Sequence, residues 1–253
     1  MLSKRIIARL DIKHPQGLVK GIQLEGFRKL GNPMDFARRY CEQGADELMY
    51  QDVVASLYNR NSLQDYIKET VRDCFIPVCV GGGVRTLQDA VNLLHIGADK
   101  IAVNTGAIRN PELITQISNC LGSQSTVVTL EVIKFAGRYE CFINNGRDHT
   151  DLDPIQWAIK ATKLGAGELI LTFVDRDGKM CGMDGELIRK LTESVTVPVV
   201  AHGGVGKIAH VIDAFNAGAD AVAIASCFHY NRFTITDVKR AMQDANLPVR
   251  MEE

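Results

Sequence analysis

The chain repeats itself at a spacing of 121 residues, and that spacing narrows its fold more than any other feature. With Ile76-Pro77-Val78 laid over Val197-Pro198-Val199, Gly82-Gly83-Val84 falls on Gly203-Gly204-Val205, and Gly97-Ala98-Asp99 on Gly218-Ala219-Asp220. Gly44-Ala45-Asp46-Glu47-Leu48 likewise falls on Gly165-Ala166-Gly167-Glu168-Leu169. Solenoid arrays would recur every 20–50 residues or so instead. Short apolar runs alternate with stretches of helical period in both halves. The runs are Arg5–Asp11, Glu47–Asp52, Pro77–Val80, Lys100–Asn104, Thr126–Glu131, Glu168–Thr172, Pro198–His202 and Ala221–Ala225. Helices such as Pro33–Glu42, Leu87–His95 and Pro111–Cys120 lie between them. Strands separated by helices imply parallel pairing through crossovers, and nearly all-apolar runs suit a sheet covered on both faces. An open doubly wound sheet gives the same alternation. Two matching halves of four βα units favour closure, which leaves no edge. The expected fold is therefore α/β, a single (β/α)8 TIM barrel over residues 1–253, with half-barrels of about 1–122 and 123–253. Tyr139–Asn145, an alternating stretch ahead of Pro154, is expected to form a small hairpin over the mouth.

Composition excludes several classes. With 29 basic and 30 acidic residues the net charge is −1, so no basic excess points to nucleic acid. No apolar run is long enough to span a bilayer. The N-terminus carries charge inside its only apolar stretch and reads as a strand rather than a signal peptide. The seven cysteines are scattered without a Cys-x-x-Cys pair, which suggests free thiols in a reducing cytoplasm. No metal or cofactor is expected.

In such barrels the active site lies at the C-terminal ends of the strands. The third run ends in Gly81-Gly82-Gly83 and the seventh in Gly203-Gly204; the fourth ends in Asn104-Thr105-Gly106 and the eighth in Ala225-Ser226. Glycine turns leading into helices let backbone N–H groups approach an anion closely. The pairing of 3 and 4 with 7 and 8 implies one elongated substrate with a phosphate at each end; the plainer reading is that the glycines only make tight turns. Thr172, which closes the sixth run, faces the same mouth. Asp11 ends the first run and Glu131 the fifth, equivalent positions in the two halves. Two facing carboxylates suit general acid and general base roles if their environments separate their pKa values. Asp177-Gly178 is either a substrate loop or a simple turn. Arg9 shares the inward face with Asp11 and is expected to reach the mouth or a carboxylate. His202 is a phosphate donor, an acid/base, or a hydrogen-bonded rim histidine. At the opposite end, Arg5, Glu47, Lys100 and Glu168 start four of the strands and are placed to close a ring of salt bridges, as a stability device or as a gate.

These segments resemble the cyclase subunits of imidazole glycerol phosphate synthase, a family of histidine biosynthesis. The resemblance covers essentially the whole chain. It rests on Lys4-Arg5-Ile6-Ile7, Leu10-Asp11-Ile12-Lys13, Val19-Lys20-Gly21, Val80-Gly81-Gly82-Gly83, Gly122-Ser123-Gln124, Asp175-Arg176-Asp177-Gly178 and Pro248-Val249-Arg250, besides the Gly44 and Gly165 motifs. It implies a glutaminase docked on the bottom of the barrel as a heterodimer partner. Ammonia would pass along the axis to a bis-phosphorylated ribulosyl formimino precursor, giving imidazole glycerol phosphate and aminoimidazole carboxamide ribonucleotide. By the same resemblance Asp11 is a catalytic carboxylate, Arg5, Glu47, Lys100 and Glu168 form the ammonia gate, and Asp99 lies at the glutaminase interface. Phosphate binding carries over to Gly83, Asn104, Gly178, Gly204 and Ser226. Three positions depart from the family pattern. Glu131 stands for an aspartate, Arg9 for a small residue and His202 for a serine. Those departures resemble paralogues of surface-polysaccharide clusters that channel ammonia onto a sugar to make an acetamidino group. A non-catalytic barrel that only activates a glutaminase is the rival from another class.

Overall fold

The computed structural model describes residues 3–55, 63–135 and 137–251. Eight parallel strands close on themselves among these residues: β1 (Arg5–Lys13), β4 (Glu47–Asp52), β5 (Val78–Gly81), β6 (Lys100–Val103), β7 (Thr126–Phe135), β10 (Glu168–Phe173), β11 (Val199–His202) and β12 (Ala221–Ile224). They pair in that order, and β12 returns to β1 with Arg5 opposite Ala221. Helices α1 (Pro33–Glu42), α2 (Gln64–Asp73), α3 (Leu87–His95), α4 (Thr105–Arg109), α5 (Glu112–Leu121), α6 (Pro154–Lys163), α7 (Gly185–Ser194), α8 (Ile208–Asn216), α9 (Ser226–His229) and α10 (Ile235–Asp244) follow the strands. Several begin where a side chain satisfies the first free N–H groups. Asp153 caps α6 and Asp184 caps α7, while Thr86 with Asp89 and Thr234 with Asp237 form capping boxes on α3 and α10.

Alternation along β1 divides the interior into two cores. Ile6, Ala8, Leu10 and Ile12 join the layer between sheet and helices. Ile7 points the other way, into a smaller lumen cluster with Met49, Cys79, Ala102, Val127, Ile170 and Val200. Arg5, Arg9 and Asp11 share the parity of Ile7. The lumen thus has a charged bottom, an apolar waist and a charged mouth.

Two strands run past their expected ends. β1 continues beyond Asp11 to Lys13, and β7 beyond Glu131 to Phe135, because each gains an antiparallel partner outside the barrel. The partner of β1 is β2 (Gly17–Ile22), which turns back as β3 (Glu25–Gly31). This hairpin is absent from the sequence expectation. Its charged outward residues break the apolar signal that marked the barrel strands. The partner of β7 is β8 (Arg138–Ile143), followed by the short β9 (Asp148–His149). It overlaps the hairpin expected at Tyr139–Asn145. Among the described residues no helix is long and apolar enough to cross a membrane, and no disulfide joins the seven cysteines.

Candidate active site

Asp11 is fully buried in the lumen and accepts two charge-assisted hydrogen bonds. Arg9 Nε donates to Oδ1 at 2.8 Å and Lys20 Nζ to Oδ2 at 2.8 Å. Lys20 also donates to Asp177 Oδ2 at 2.7 Å, so the hairpin lysine ties the end of β1 to the loop after β10. Burial alone would raise the Asp11 carboxyl, but Arg9 and Lys20 hold it well below the usual carboxylate range. Burying four such charges is tolerable because each is paired; removing one partner of a buried pair typically costs about 3–5 kcal/mol.

Glu131 has a different surrounding. It is buried beside the mouth cavity, and Gly146 N–H donates to its Oε2 at 2.9 Å. Burial pushes its carboxyl up, and the N–H of Gly146, the charge of Arg9, and the amide of Asn104 only partly offset this, leaving it at about 7. One carboxylate therefore stays ionised while the other exchanges a proton near neutrality. That separation is what general acid-base work by two carboxyls requires.

The glycine turns floor two pockets. The first, a cavity of about 70 Å³, is lined by Gly82, Gly83, Asn104, Thr105, Gly106, Thr129 and Glu131. The second is a slot of about 10 Å³ lined by Asp177, Gly178, His202, Gly203, Gly204, Ala225 and Ser226. Gly82 and Gly83 have φ of 98° and 77°, and Gly203 and Gly204 have 93° and 107°, values that side chains with a Cβ rarely adopt. A Cβ on Gly204 would also lie 2.4 Å from the Gly182 carbonyl oxygen. The loop after β8 covers the first pocket: Asn104 Nδ2 donates to the Phe142 carbonyl at 3.1 Å and Asn144 N–H to Thr105 Oγ1 at 3.0 Å. Buried polar atoms at this end that lack partners among the described residues include Asn104 Oδ1, Thr129 Oγ1, Asn144 Oδ1, Thr172 Oγ1 and His202 Nε2. Such atoms are costly unless a ligand or water satisfies them, and they cluster where the strands end.

At the bottom, Arg5 donates to Glu47 at 2.9 Å and to Glu168. Lys100 donates to the same two acids at 2.7 and 2.8 Å. The four close an alternating ring across the axis. Asp99, beside Lys100, accepts from Val78 N–H at 2.8 Å, and Asp220 accepts from Val199 N–H at 3.0 Å in the same manner.

The structure brings Asp11, Arg9, Asp177 and His202 into one buried group and sets Glu131, Asn104 and Thr105 around the neighbouring cavity. Asp177 is more than a turn residue, since its side chain holds Lys20 and its backbone carbonyl receives Gln23 N–H at 2.8 Å. Lys20 was missed as a site residue. Its motif, Val19-Lys20-Gly21, is visible, but only the hairpin aims the amine inward. The cover over the mouth agrees with the hairpin expected at Tyr139–Asn145, but nothing in the sequence shows that the Gly146 N–H reaches Glu131.

A closed parallel barrel with its polar constellation at the C-terminal mouth places the chain among the (β/α)8-barrel enzymes. The profile of the histidine biosynthesis protein family matches residues 5–234. The chain belongs to that family. It is 45% identical over 98% of its length to the imidazole glycerol phosphate synthase subunit HisF of Pyrobaculum aerophilum, covering 98% of that protein. Subunits of the same name from Legionella pneumophila (49% identical, 82% of this chain and 98% of that protein) and Bacillus cereus (42%, 99% and 100%) are similarly related.

Proposed function

We propose that this chain is the ammonia-dependent cyclase subunit, a lyase, of a cytoplasmic imidazole glycerol phosphate synthase. The observation that carries the reading is a pair of buried carboxylates with unlike partners, Asp11 on Arg9 and Lys20 and Glu131 on the Gly146 N–H, between two glycine-floored pockets. In this reading Gly83, Asn104 and Thr105 hold one phosphate of the substrate. Gly178, Gly203, Gly204, Ala225 and Ser226 hold the other, and Thr172 contacts the chain between them. Asp11 stabilises positive charge that develops as ammonia adds. Glu131 takes up and returns the proton that moves during ring closure and bond cleavage. A glutaminase subunit docks against the bottom near Asp99, and Arg5, Glu47, Lys100 and Glu168 gate the ammonia it releases. The matching halves point to duplication of a half-barrel of about 1–122. The names of the relatives support the substrate assignment.

A second reading, transfer of ammonia onto a sugar precursor, has one observation in its favour: Arg9 and His202 place two large groups in the buried mouth. Turnover of the bis-phosphorylated histidine intermediate with free ammonium separates the two. A rate of about 1 s⁻¹ or more, ordinary for an enzyme, supports the cyclase. No turnover despite tight binding leaves the sugar reading, and neither turnover nor binding leaves a barrel that only supports its glutaminase.

A further inference from the structure

His202 sits at the end of β11, in register with Thr172 on one side and Ala223 on the other. Its Nδ1 lies 3.0 Å from the Ala223 carbonyl oxygen. A carbonyl only accepts, so Nδ1 carries the hydrogen, and in the neutral ring Nε2 is a bare lone pair. That nitrogen is buried, the residue being 2% exposed, and has no hydrogen-bond partner among the described residues. The group nearest to it by charge is Asp177, whose Oδ1 is 3.5 Å away and whose Oδ2 already accepts from Lys20. Burial together with Arg9 and Lys20 outweighs Asp177 and lowers the imidazole to about 4, so the ring is neutral at physiological pH. Two acceptors, an imidazole nitrogen and a carboxylate oxygen, thus converge on the wall of the Gly203, Gly204 and Ser226 pocket. A phosphate oxygen is repelled by both. A hydrogen-bond donor is welcomed by both. Thr172 Oγ1, beside this wall, also lacks a partner among the described residues and can donate or accept.

We propose that His202 is a specificity-determining residue whose bare Nε2 accepts a hydrogen bond from an O–H or N–H that the substrate carries next to its phosphate. The proposal rests on reading this pocket as a phosphate site. His202 is therefore not a phosphate ligand; it reads the group beside the phosphate, and the Ala223 carbonyl and the Arg9 charge keep it in the tautomer and protonation state that can do so.

Nitrogen NMR of the full chain labelled at histidine tests this, with inorganic phosphate and glycerol phosphate as probes. The expected result is an unprotonated Nε2 at neutral pH whose resonance moves on adding glycerol phosphate, with glycerol phosphate binding roughly tenfold more tightly than inorganic phosphate, the scale of one hydrogen bond. His202→Leu, checked for a native melting transition, should bind the two probes equally. A protonated Nε2 in the free protein, or equal affinity of the two probes for the unaltered chain, overturns the proposal and leaves the phosphate reading standing. If neither probe binds, the phosphate reading falls and this proposal with it. The NMR measurement needs no variant, so a His202→Leu protein that fails to fold does not block it.

Discussion

The two ends of the lumen use similar residues to opposite effect. At the bottom, Glu47 and Glu168 each accept from both Arg5 and Lys100, so the two acids see the same two cations. At the mouth the cations are unevenly shared. Asp11 takes Arg9 and Lys20, Asp177 shares Lys20, and Glu131 receives backbone N–H instead. Even sharing makes a plug that changes only if the ring opens. Uneven sharing leaves Asp11 held well below the ordinary carboxylate range by two cations, while burial without a paired cation raises Glu131 to about 7. Exposure follows the same division. Arg5 and Lys100 side chains are 26% and 19% exposed, within reach of solvent, whereas Arg9, Asp11 and Lys20 are sealed.

The strongest way to break this contrast is Asp11→Asn. It should lower ammonium-fed turnover by about 10²-fold or more, the scale of a lost acid-base or charge-stabilising group. Equal turnover in variant and parent would remove Asp11 from the mechanism and make the mouth merely structural.

A smaller effect, and a sharper one, is carried by pH. Folding raises Glu131 from an ordinary 4.5 to about 7. Between those values the folded protein holds a proton that the unfolded chain has released, so this group's contribution to stability falls as pH rises across the window. Glu131→Gln should flatten that slope in urea unfolding measured at several pH values, and should remove a limb near pH 7 from the turnover profile. An unchanged slope in the variant would mean that Glu131 is not the titrating group.

The smallest expected change in turnover with ammonium comes from the ring. Lys100→Met leaves Glu47 and Glu168 with one shared cation, and should alter the ratio of glutamine-fed to ammonium-fed turnover when the glutaminase subunit is present. The ratio cancels whatever the substitution does at the mouth. A ratio equal to that of the parent chain would reduce the ring to a stability device.

Much of this arrangement is legible in the sequence. The glycine turns, the strand starts and the inward parity of Arg5, Arg9 and Asp11 all follow from local rules: side chains alternate along a strand, and consecutive positive φ values favour glycine. Even the ring follows from four charges placed at strand starts. Lys20 shows where such rules stop. Its position in a hairpin, nine residues from Asp11 and 157 from Asp177, says nothing about contact with either until the chain has closed. The loop at Asn144 to Gly146 is similar, since only the β7 and β8 ladder carries its backbone N–H groups over Glu131.

The repeat at 121 residues, period-two alternation and turn chemistry suffice for the barrel, the two glycine-floored ends, the ring residues and the two strand-end carboxylates, because these are patterns along the chain. Folding into the barrel is what holds Asp11 below the ordinary carboxylate range, raises Glu131 to about 7, and leaves His202 Nε2 buried without a partner among the described residues. Those outcomes depend on burial and on charges contributed by β1, the β2 and β3 hairpin, and the loops after β8 and β10. Electrostatic energies in a poorly solvated interior are set by distances in space, to which separation along the chain is no guide.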